Sequence, residues 1–460
     1  MRDGSHPKHR GDRRVGKRLD RISRGLAAVA RRYTPDAFVI AVLLTVLTFC
    51  LALLLGKSGP LECVRHWGNG FWTLLTFGMQ MSLVVFSGYL LAVSPPVRRL
   101  LDAAASVPRS PRGAVALLAF ASVVLCWLNW GVGLIASAMM VSSFARRHPD
   151  ADYRLLVAVA YLGMGCSWHM GPSGSVPLLL ATPGHFLEST TGILPLTRTV
   201  FRTWPLLTVA TVSAVLIAVA AMLLPASENR VRVAPEQIPQ DDLDAAAPAD
   251  GAPSTPAARL EGSRIVNLAL ALPGLLWIAD RFRTSGLSLT LDTVNFCVLM
   301  LAVLLHPSPR ALLRSARQAG TLLHGIVLQF PLYAGMYGLI KDSGLASSIS
   351  EAFVSLATPR TFPVIIFWYS SILNYFVPSG GSKWVIEAPY LLEAASQLGV
   401  DTGKLAVSYA FGDMGTNLIQ PFWALPLLAV AKLDFKDILG FELIFCAVYV
   451  VLVSAALVLW

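Results

Sequence analysis

Charged residues are scarce in this chain of 460 residues. Asp, Glu, Lys and Arg make up 14% of the sequence, whereas hydrophobic residues make up 55%. Long apolar stretches with so few charges are far too hydrophobic for a soluble protein of this length. The composition therefore excludes the soluble classes and predicts an all-α polytopic membrane protein, whose immediate partner is the lipid bilayer.

Cysteine is also rare, and its placement is uninformative for chemistry. The six cysteines include no Cys-x-x-Cys pair, and most of them lie inside apolar segments. That pattern excludes a disulfide framework and a cysteine-based metal site, and it is typical of small core residues. We predict no metal site and no cofactor, apart from Na⁺ or H⁺ as a coupling ion.

Acidic residues are few at the N-terminus. Residues 1–32 hold eleven Lys or Arg against three Asp, which accounts for +8 of the net charge of +10. A basic tail directly before an apolar run is typical of a cytoplasmic anchor under the positive-inside rule, so we favour this over nucleic-acid binding. We expect a cytoplasmic tail at 1–36 and a multi-pass protein of the bacterial inner membrane.

The run that follows is too long for a cleaved signal peptide, so we interpret it as an uncleaved first span. Apolar stretches predict spans or paired segments at 37–56, 71–93, 113–144, 155–187, 204–224, 265–280, 287–305, 321–340, 362–399, 403–432 and 437–459. Residues 226–263 are rich in Ala, Pro and Asp and lack aromatic residues, which predicts a flexible cytoplasmic linker. We therefore expect a first transmembrane half at 37–225, a connecting span at 264–286 and a second half at 287–460.

The segment 113–144 is too long for one span. As a helix its roughly 32 residues would extend about 48 Å, against a hydrocarbon core of about 30 Å. Basic clusters also flank it on both sides, at 98–112 and 146–154. A re-entrant hairpin that opens to the cytoplasm resolves both problems, and Asn129 would lie at its tip.

The second half repeats this pattern at 362–399, where Asn374 corresponds to Asn129. Each hairpin is followed by an interrupted span, with breaks at 171–175 and 412–417. The topology makes the second hairpin open outward, so each half has a re-entrant hairpin and a discontinuous transmembrane helix in inverted orientation. Such an inverted repeat is the pattern of a secondary transporter.

The run 376–383 contains Pro, Ser and Gly between two flanks that each span only about half a bilayer. Exposed backbone at membrane depth is tolerated only where it is buried in protein or lines a polar cavity, so this turn points to a small polar solute. Helix N-termini suit carboxylates, and unwound carbonyls with Ser, Thr and Asn oxygens suit Na⁺. Close helix packing is the alternative explanation for such small residues.

The candidate ligands fall into two sets. Candidates for substrate binding are Ser379, Gly380, Gly381, Ser382, Lys383, Asn129, Ser173, Thr416 and Asn417, with Gly131 and Gly133 as further first-half counterparts. Candidates for the coupling ion are Asn129, Ser175, Asn374, Asn417, Glu387 and His169. The Ser, Asn and carbonyl groups indicate Na⁺, whereas Glu387 and His169 would suit H⁺.

Two charged residues stand out in the second hairpin. Lys383 and Glu387 are spaced i, i+4 and could form an ion pair. Lys383 could instead attract a substrate carboxylate while Glu387 carries a proton, or both could face water at the hairpin mouth. At the breaks, His169 could bind substrate, shuttle a proton or only pack, and Asp413 could cap a half-helix.

Residues 171–174, Gly-Pro-Ser-Gly, have the look of an intramembrane serine hydrolase with Ser173 as nucleophile. That hypothesis leaves the matching breaks of the second half unexplained. We therefore predict a transporter and not an enzyme. A transporter of an uncharged or amino-bearing solute, or a channel, is the nearest alternative among membrane proteins.

Three long motifs, at 169–186, 376–381 and 416–426, resemble the short-chain fatty acid transporter family, which looks like a branch of the ion transporter superfamily. The resemblance implies import of short-chain carboxylates such as acetoacetate or butyrate. It also implies a homodimer that moves by an elevator mechanism and is driven by an ion gradient.

The chain departs from the family pattern at four positions. Ser382 stands where Gly is usual and Lys383 where Gln is usual. Glu387 also replaces a Gln, and Pro172 replaces a Leu. Two neutral positions beside the expected site have thus become charged. A more polar or amino-bearing acid is one explanation, and mutual neutralisation is the other.

Overall fold

The computed structural model describes Pro35 and residues 37–225, 230–233 and 255–460. The predicted basic tail, except Pro35, and most of the predicted linker lie outside the described residues. The α-helices are α1 Ala37–Leu55, α2 Pro60–Gly70, α3 Leu75–Ala92, α4 Pro95–Ala104, α5 Pro111–Leu128, α6 Trp130–Arg147, α7 Tyr153–Cys166, α8 Ser175–Leu180, α9 Glu188–Thr191, α10 Thr203–Met222, α11 Pro256–Glu261, α12 Arg264–Ser285, α13 Leu291–Leu305, α14 Pro309–Gly320, α15 His324–Asp342, α16 Leu345–Leu356, α17 Phe362–Phe376, α18 Gly380–Gln397, α19 Thr402–Gly415, α20 Leu425–Ala431 and α21 Phe435–Leu459.

Six described helices are long and apolar enough to cross a membrane: α1, α3, α5, α10, α12 and α21. Two bent pairs raise the number to eight. The pair α14 and α15 bends by 48°, and Thr402–Ile419 bends by 64° against Phe422–Ala431. These spans confirm the prediction of an all-helical, multi-span membrane protein.

Four short helices, α2, α4, α14 and α16, lie between the long apolar ones and were not predicted. The helix α14 illustrates why, because it carries three Arg residues and lacks a continuous apolar run. Its start is nevertheless well specified: Ser308 accepts a hydrogen bond from the Ala311 backbone N–H, and Pro309 occupies the first helical position. A search for long apolar runs does not detect short amphipathic helices of this kind.

The first hairpin turns at a single residue. Asn129 has an extended backbone between α5 and α6, and its side chain accepts a hydrogen bond from the Val132 N–H. The two helices then pack closely, because a Cβ on Gly133 would lie 2.4 Å from the Cys126 backbone nitrogen. Asn129 is therefore the cap that reverses the chain here.

The second hairpin has a shorter turn than predicted. Only residues 377–379 lie between α17 and α18, and Gly380 to Lys383 form the first turn of α18. The boundary is displaced because Gly380 and Gly381 are small enough to start the helix in a crowded place. A Cβ on Gly380 would lie 2.6 Å from His169 Cε1.

Both spans are interrupted as predicted, but the breaks are displaced: residues 412–415 remain helical so that the second break begins at Thr416, and the first begins at Ser167. The two breaks lie against each other in the core. The helix α7 ends at Cys166, a 3₁₀ turn spans Trp168–Met170, and α8 begins at Ser175. In the second half, α19 ends at Gly415 and two 3₁₀ turns precede α20. The backbone freed by these breaks is thus enclosed by protein, as lipid requires.

Candidate functional site

Buried polar and charged side chains from both halves of the chain meet at the two breaks. Asp413, in the last turn of α19, places Oδ2 3.0 Å from Nδ1 of His169. Its other oxygen, Oδ1, lies 3.4 Å from Nζ of Lys383 in α18. All three side chains are at most 1% exposed. At such burial each charge depends on its partner, because an isolated ion would lose its hydration without compensation.

The Lys383 ammonium has three further contacts. It donates hydrogen bonds to the Ser370 carbonyl oxygen at 2.8 Å and to Ser370 Oγ at 2.6 Å. It also lies 4.5 Å from the centroid of the Tyr409 ring, in cation–π geometry. Tyr409 in turn donates its hydroxyl proton to the Gly380 carbonyl at 2.7 Å. Lys383 is thus held by α17 and α19, beneath the hairpin turn.

The structure corrects two alternatives for the charged pair of α18. Lys383 makes its ion pair with Asp413, and the described residues show none between Lys383 and Glu387. Neither residue faces water, because both are fully buried. Spacing alone favoured a local pair, but the packing of α19 against α18 brings Asp413 closer to the ammonium.

Glu387 differs from the other buried charged residues at this site, Lys383 and Asp413. Neither of its carboxylate oxygens has a hydrogen-bond partner among the described residues, and the side chain is fully buried. A carboxylate without donors is costly to keep ionised at such depth. This makes Glu387 a candidate for carrying a proton.

The hydrogen bonds of His169 define its tautomer. The Val176 backbone N–H donates to Nε2 at 3.1 Å, so Nε2 is an acceptor and the ring proton lies on Nδ1, facing Asp413. Ser175 Oγ is 3.2 Å from the same Nε2. The order Ser175, His169, Asp413 resembles a serine triad, but the Val176 amide already occupies the nitrogen that would have to act as base.

Ser173 has a different role from the one the hydrolase hypothesis requires. Its Oγ accepts a hydrogen bond from the Trp130 backbone N–H at 3.0 Å, and so joins the first break to the tip of the first hairpin. The nearby histidine, His169, contacts Ser175 instead. These contacts do not support the rival hypothesis of Ser173 as a nucleophile activated by a histidine.

A cluster of amide side chains joins the second hairpin to the second break. Asn374 Nδ2 donates to the Asp413 carbonyl at 2.7 Å, to Asn417 Oδ1 at 2.9 Å and to Thr416 Oγ1 at 3.1 Å. Asn417 Nδ2 donates to the Met164 carbonyl of the first half at 3.0 Å. The cluster gathers amide and carbonyl oxygens of the kind that bind Na⁺.

A small cavity of about 30 Å³ lies at the tip of the second hairpin. Its lining residues are Met81, Trp130, Met164, Trp168, Ser175, Ile326, Phe330, Ser379, Gly380, Gly381 and Trp423. The Trp130 ring packs edge-on against Trp168 and Trp423, with centroids 5.7 and 5.6 Å apart. Trp423 Nε1 also donates to the Pro378 carbonyl at 2.6 Å. The cavity therefore has aromatic walls and the first turn of α18 on one side.

The predicted site residues thus separate into groups. Ser379, Gly380, Gly381 and Ser175 line the hairpin cavity together, whereas Lys383 and Ser382 do not. Ser382 instead bonds Ser379, with the two Oγ atoms 3.0 Å apart. The remaining predicted residues, which lie around the cavity without lining it, are Asn129, Ser173, Asn374, Thr416, Asn417, Glu387, His169, Gly131 and Gly133.

A larger polar cavity of about 420 Å³ was missed by sequence reasoning. Its polar lining residues are Asn69, Thr73, Thr76, Gln80, Thr182, His185, Asp292, Lys341 and Asp342. Phe77 also lines this cavity, and a Cβ on Gly381 would lie 2.9 Å from Phe77 Cζ. The Phe77 ring thus lines the large cavity and packs against Gly381, which lines the hairpin cavity. The adjacent charges of Lys341 and Asp342 at the end of an apolar helix were the available sequence signal.

Three other buried groups were missed. Ser370 and Tyr409 gave no signal, because a Ser or Tyr in an apolar helix is common. Glu442 did give one, as a carboxylate within the apolar part of helix α21. It is fully buried, and neither of its oxygens has a hydrogen-bond partner in the described part of the chain.

Comparison with known proteins identifies the family of this chain. Residues 18–460 match the family model described as "Short chain fatty acid transporter". A protein of Escherichia coli (strain K12) named "Putative short-chain fatty acid transporter" is 41% identical over 424 residues, which cover 92% of this chain and 96% of the relative. A protein of the same name from Haemophilus influenzae is 38% identical over 431 residues, with the same coverage of both chains.

The crystal structure of the YdaH transporter of Alcanivorax borkumensis has a similar fold. Its TM-score is 0.57 at 14% sequence identity, and the alignment covers 93% of this chain and 98% of that one. At this identity the likeness concerns the fold alone. The match over nearly the whole chain and the two close relatives show that this multi-pass membrane protein is a transporter and not an enzyme, and that it belongs to the short-chain fatty acid transporter family.

Proposed function

We propose that this chain is a secondary active transporter that imports short-chain fatty acids or related small carboxylates, driven by an ion gradient. One observation carries the proposal: the first turn of α18 faces an aromatic-walled cavity where both broken helices meet. The first turn of a helix leaves backbone N–H groups without intrahelical partners, and its dipole attracts an anion. Gly380 and Gly381, with Ser379 Oγ, would bind the carboxylate.

The apolar part of the acid would lie against the tryptophans of the cavity. Trp130, Trp168 and Trp423 offer a surface for a short hydrocarbon chain and exclude water from it. The present volume, about 30 Å³, is far below that of a typical ligand pocket. Substrate entry therefore requires these walls to move apart, as an alternating-access cycle demands.

We infer that the larger cavity is the vestibule of this site. Lys341 lines it and would attract a carboxylate, and its volume of about 420 Å³ exceeds that of the hairpin cavity many times. Phe77 lines the larger cavity and packs against Gly381 of the smaller one, so movement of this ring would admit the substrate. Asp292 and Asp342 of the vestibule would favour a substrate with a polar or amino group. Amino-bearing acids are therefore the second class of solute to test.

The order of helices supports an inverted repeat. The same series of elements occurs from α1 to α10 and again from α13 to α21. It consists of a long helix, a short one, a second long helix, another short one, a hairpin, a broken span and a final span. The helix α12 stands between them as the connecting span, so the halves of 37–225 and 287–460 would have opposite orientations. We propose that the hairpins and broken helices move together as the elevator, within a homodimer.

Orientation follows from charge. With the basic tail at 1–36 in the cytoplasm of a bacterial cell, the first hairpin would open inward and the second outward. The linker at 226–263 would then also be cytoplasmic. Cysteines placed in the tail and in the linker should both be protected from an impermeant thiol reagent in intact cells.

Two groups of residues are candidates for the coupling ion. The amide cluster of Asn374 and Asn417 would suit Na⁺, and Ser175 would add a hydroxyl. Glu387 and His169 would suit a proton. The Glu387 carboxylate has no hydrogen-bond partner among the described residues, and the His169 imidazole connects the two breaks through Asp413.

Uptake into proteoliposomes tests the proposal. The purified protein should accumulate labelled butyrate or acetoacetate when a Na⁺ or H⁺ gradient is imposed separately, and a panel with amino-bearing acids should define the solute class. Empty liposomes and liposomes with collapsed gradients are the controls. An absence of gradient-dependent uptake for every carboxylate would contradict the proposed function.

A further inference from the structure

The atoms around the Lys383 ammonium form a site suited to a small cation. They are the Ser370 carbonyl oxygen at 2.8 Å, the Ser370 hydroxyl at 2.6 Å and Asp413 Oδ1 at 3.4 Å. The face of the Tyr409 ring completes the shell, with its centroid at 4.5 Å. Carbonyl, hydroxyl and carboxylate oxygens are the ligands that proteins offer to hard cations, and an aromatic face also attracts positive charge.

The position of this site gives its charge a structural role. Ser370 belongs to α17, Asp413 to α19, and Lys383 to the first turn of α18. Asp413 also bonds His169 of the first half through its other oxygen. A positive charge here thus holds together both arms of the second hairpin and the two broken helices.

Asp413 requires such a charge. Its Oδ1 has no hydrogen-bond partner among the described residues, so the Lys383 ammonium, at ion-pair distance, is the charge that compensates it. A short side chain without a charge at position 383 would leave a carboxylate, a carbonyl and a hydroxyl around an empty space. Those three oxygens would then be free to bind a cation from solution.

We propose that Lys383 is a tethered cation: its ammonium permanently fills a Na⁺ site beside the hairpin, so that transport needs no Na⁺ at this position. The proposal rests on the proposed transport function, which it refines by assigning one ion site. Because the ammonium is covalently attached, it fills the site at any Na⁺ concentration, and it excludes Na⁺ both by its volume and by charge repulsion.

The test compares two variants that differ in the space they leave. Lys383→Ala removes the charge and empties the ammonium position, whereas Lys383→Met removes the charge but fills the position with an apolar chain. The melting temperature of each purified protein is measured in NaCl and in choline chloride at equal ionic strength, relative to wild type. Because this measurement requires no transport, its result is independent of the proposed function.

We expect Na⁺ to raise the melting temperature of Lys383→Ala by a few degrees more than that of wild type, in a saturable manner. Lys383→Met and the double variant Lys383→Ala/Asp413→Asn should show no such excess. An equal Na⁺ response in wild type and Lys383→Ala would overturn the proposal. If Lys383→Ala cannot be purified without Na⁺ but can be with it, that result supports the same conclusion.

Should Lys383→Ala fail to fold under both conditions, Lys383→Ser replaces it, since the short hydroxyl side chain leaves the site open. Uptake provides the second readout. At fixed pH and membrane potential, carboxylate uptake by Lys383→Ala should increase several-fold with Na⁺, relative to the wild-type response. A wild-type protein that transports no carboxylate would refute the proposed function while leaving the melting comparison valid.

Discussion

His169 and Asp413 are 244 residues apart in the chain, yet their side chains form a hydrogen bond of 3.0 Å at the centre of the protein. The bond joins the 3₁₀ turn that interrupts the first half to the end of α19 in the second half. Any relative movement of the two broken helices must either break it or carry both residues together. It therefore connects the geometry of the breaks to the mechanism proposed for transport.

Ser379→Leu should reduce carboxylate uptake at least tenfold while leaving the amount of protein in the membrane unchanged. Leu removes the hydroxyl proposed to bind the carboxylate, and its bulk fills a cavity of about 30 Å³. Uptake in proteoliposomes and a membrane-fraction blot measure the two effects. Ser355→Leu, at an exposed serine, is the matched control. Normal uptake by Ser379→Leu would show that the hairpin tip is not the binding site.

Asp413→Asn should destabilise the protein strongly. It leaves the buried Lys383 ammonium without its counter-charge, and breaking a buried ion pair typically costs about 3–5 kcal/mol. Thermal unfolding in detergent measures the loss. Asp280→Asn is the control, because Asp280 pairs with Arg283 on the surface and such pairs contribute about 0–1 kcal/mol. A double variant, Asp413→Leu/Lys383→Met, should recover part of the stability; equal unfolding of Asp413→Asn and wild type would contradict the pairing.

Lys383→Gln combined with Glu387→Gln should retain transport of a simple short-chain acid when Na⁺ is present. The ligands proposed for the carboxylate, Ser379, Gly380 and Gly381, are untouched, and Lys383 does not line the cavity. A competition series with amino-bearing acids would reveal whether specificity has shifted. Loss of uptake for every monocarboxylate would mean that Lys383 and Glu387 do more than determine substrate specificity.

Phe77→Ala should connect the vestibule to the hairpin cavity. Ser175→Cys should react with an impermeant thiol reagent only when Phe77 is also replaced, because the ring lines the vestibule and packs against Gly381 of the hairpin cavity. Thr73→Cys lines the vestibule and should react in both backgrounds. These comparisons are made with Cys50, which is exposed, changed to Ser. Equal labelling of Ser175→Cys with and without Phe77 would show that the ring is no barrier.

Much of this architecture was predictable because its signals are local. The length of 113–144 exceeds one span, so the reversal at Asn129 follows from the bilayer thickness, and the structure places the turn there. The Gly and Pro residues of 171–175 disfavour a continuous helix, and α7 ends before them. The short helix α14 was not predicted, because it contains no continuous apolar run.

The contacts of the charged residues could not be predicted in the same way. Spacing suggested Glu387 as the partner of Lys383, but the partner is Asp413, thirty positions further along the chain in α19. Likewise, Gly171 to Gly174 suggested a nucleophile at Ser173, whereas Ser173 accepts a bond from Trp130, and Ser175 is the serine that contacts His169. These outcomes depend on which helices pack together.

Membrane class, hairpin positions, helix breaks and family were therefore determined by the amino-acid sequence, because apolar length and helix-breaking residues act over a few turns of chain. The tertiary structure alone decided that Lys383, Asp413 and His169 form one buried cluster, and that Phe77 of the larger cavity packs against Gly381 of the smaller one. Long-range pairing of buried charges follows from desolvation, which forces each charge toward whichever partner the packing supplies.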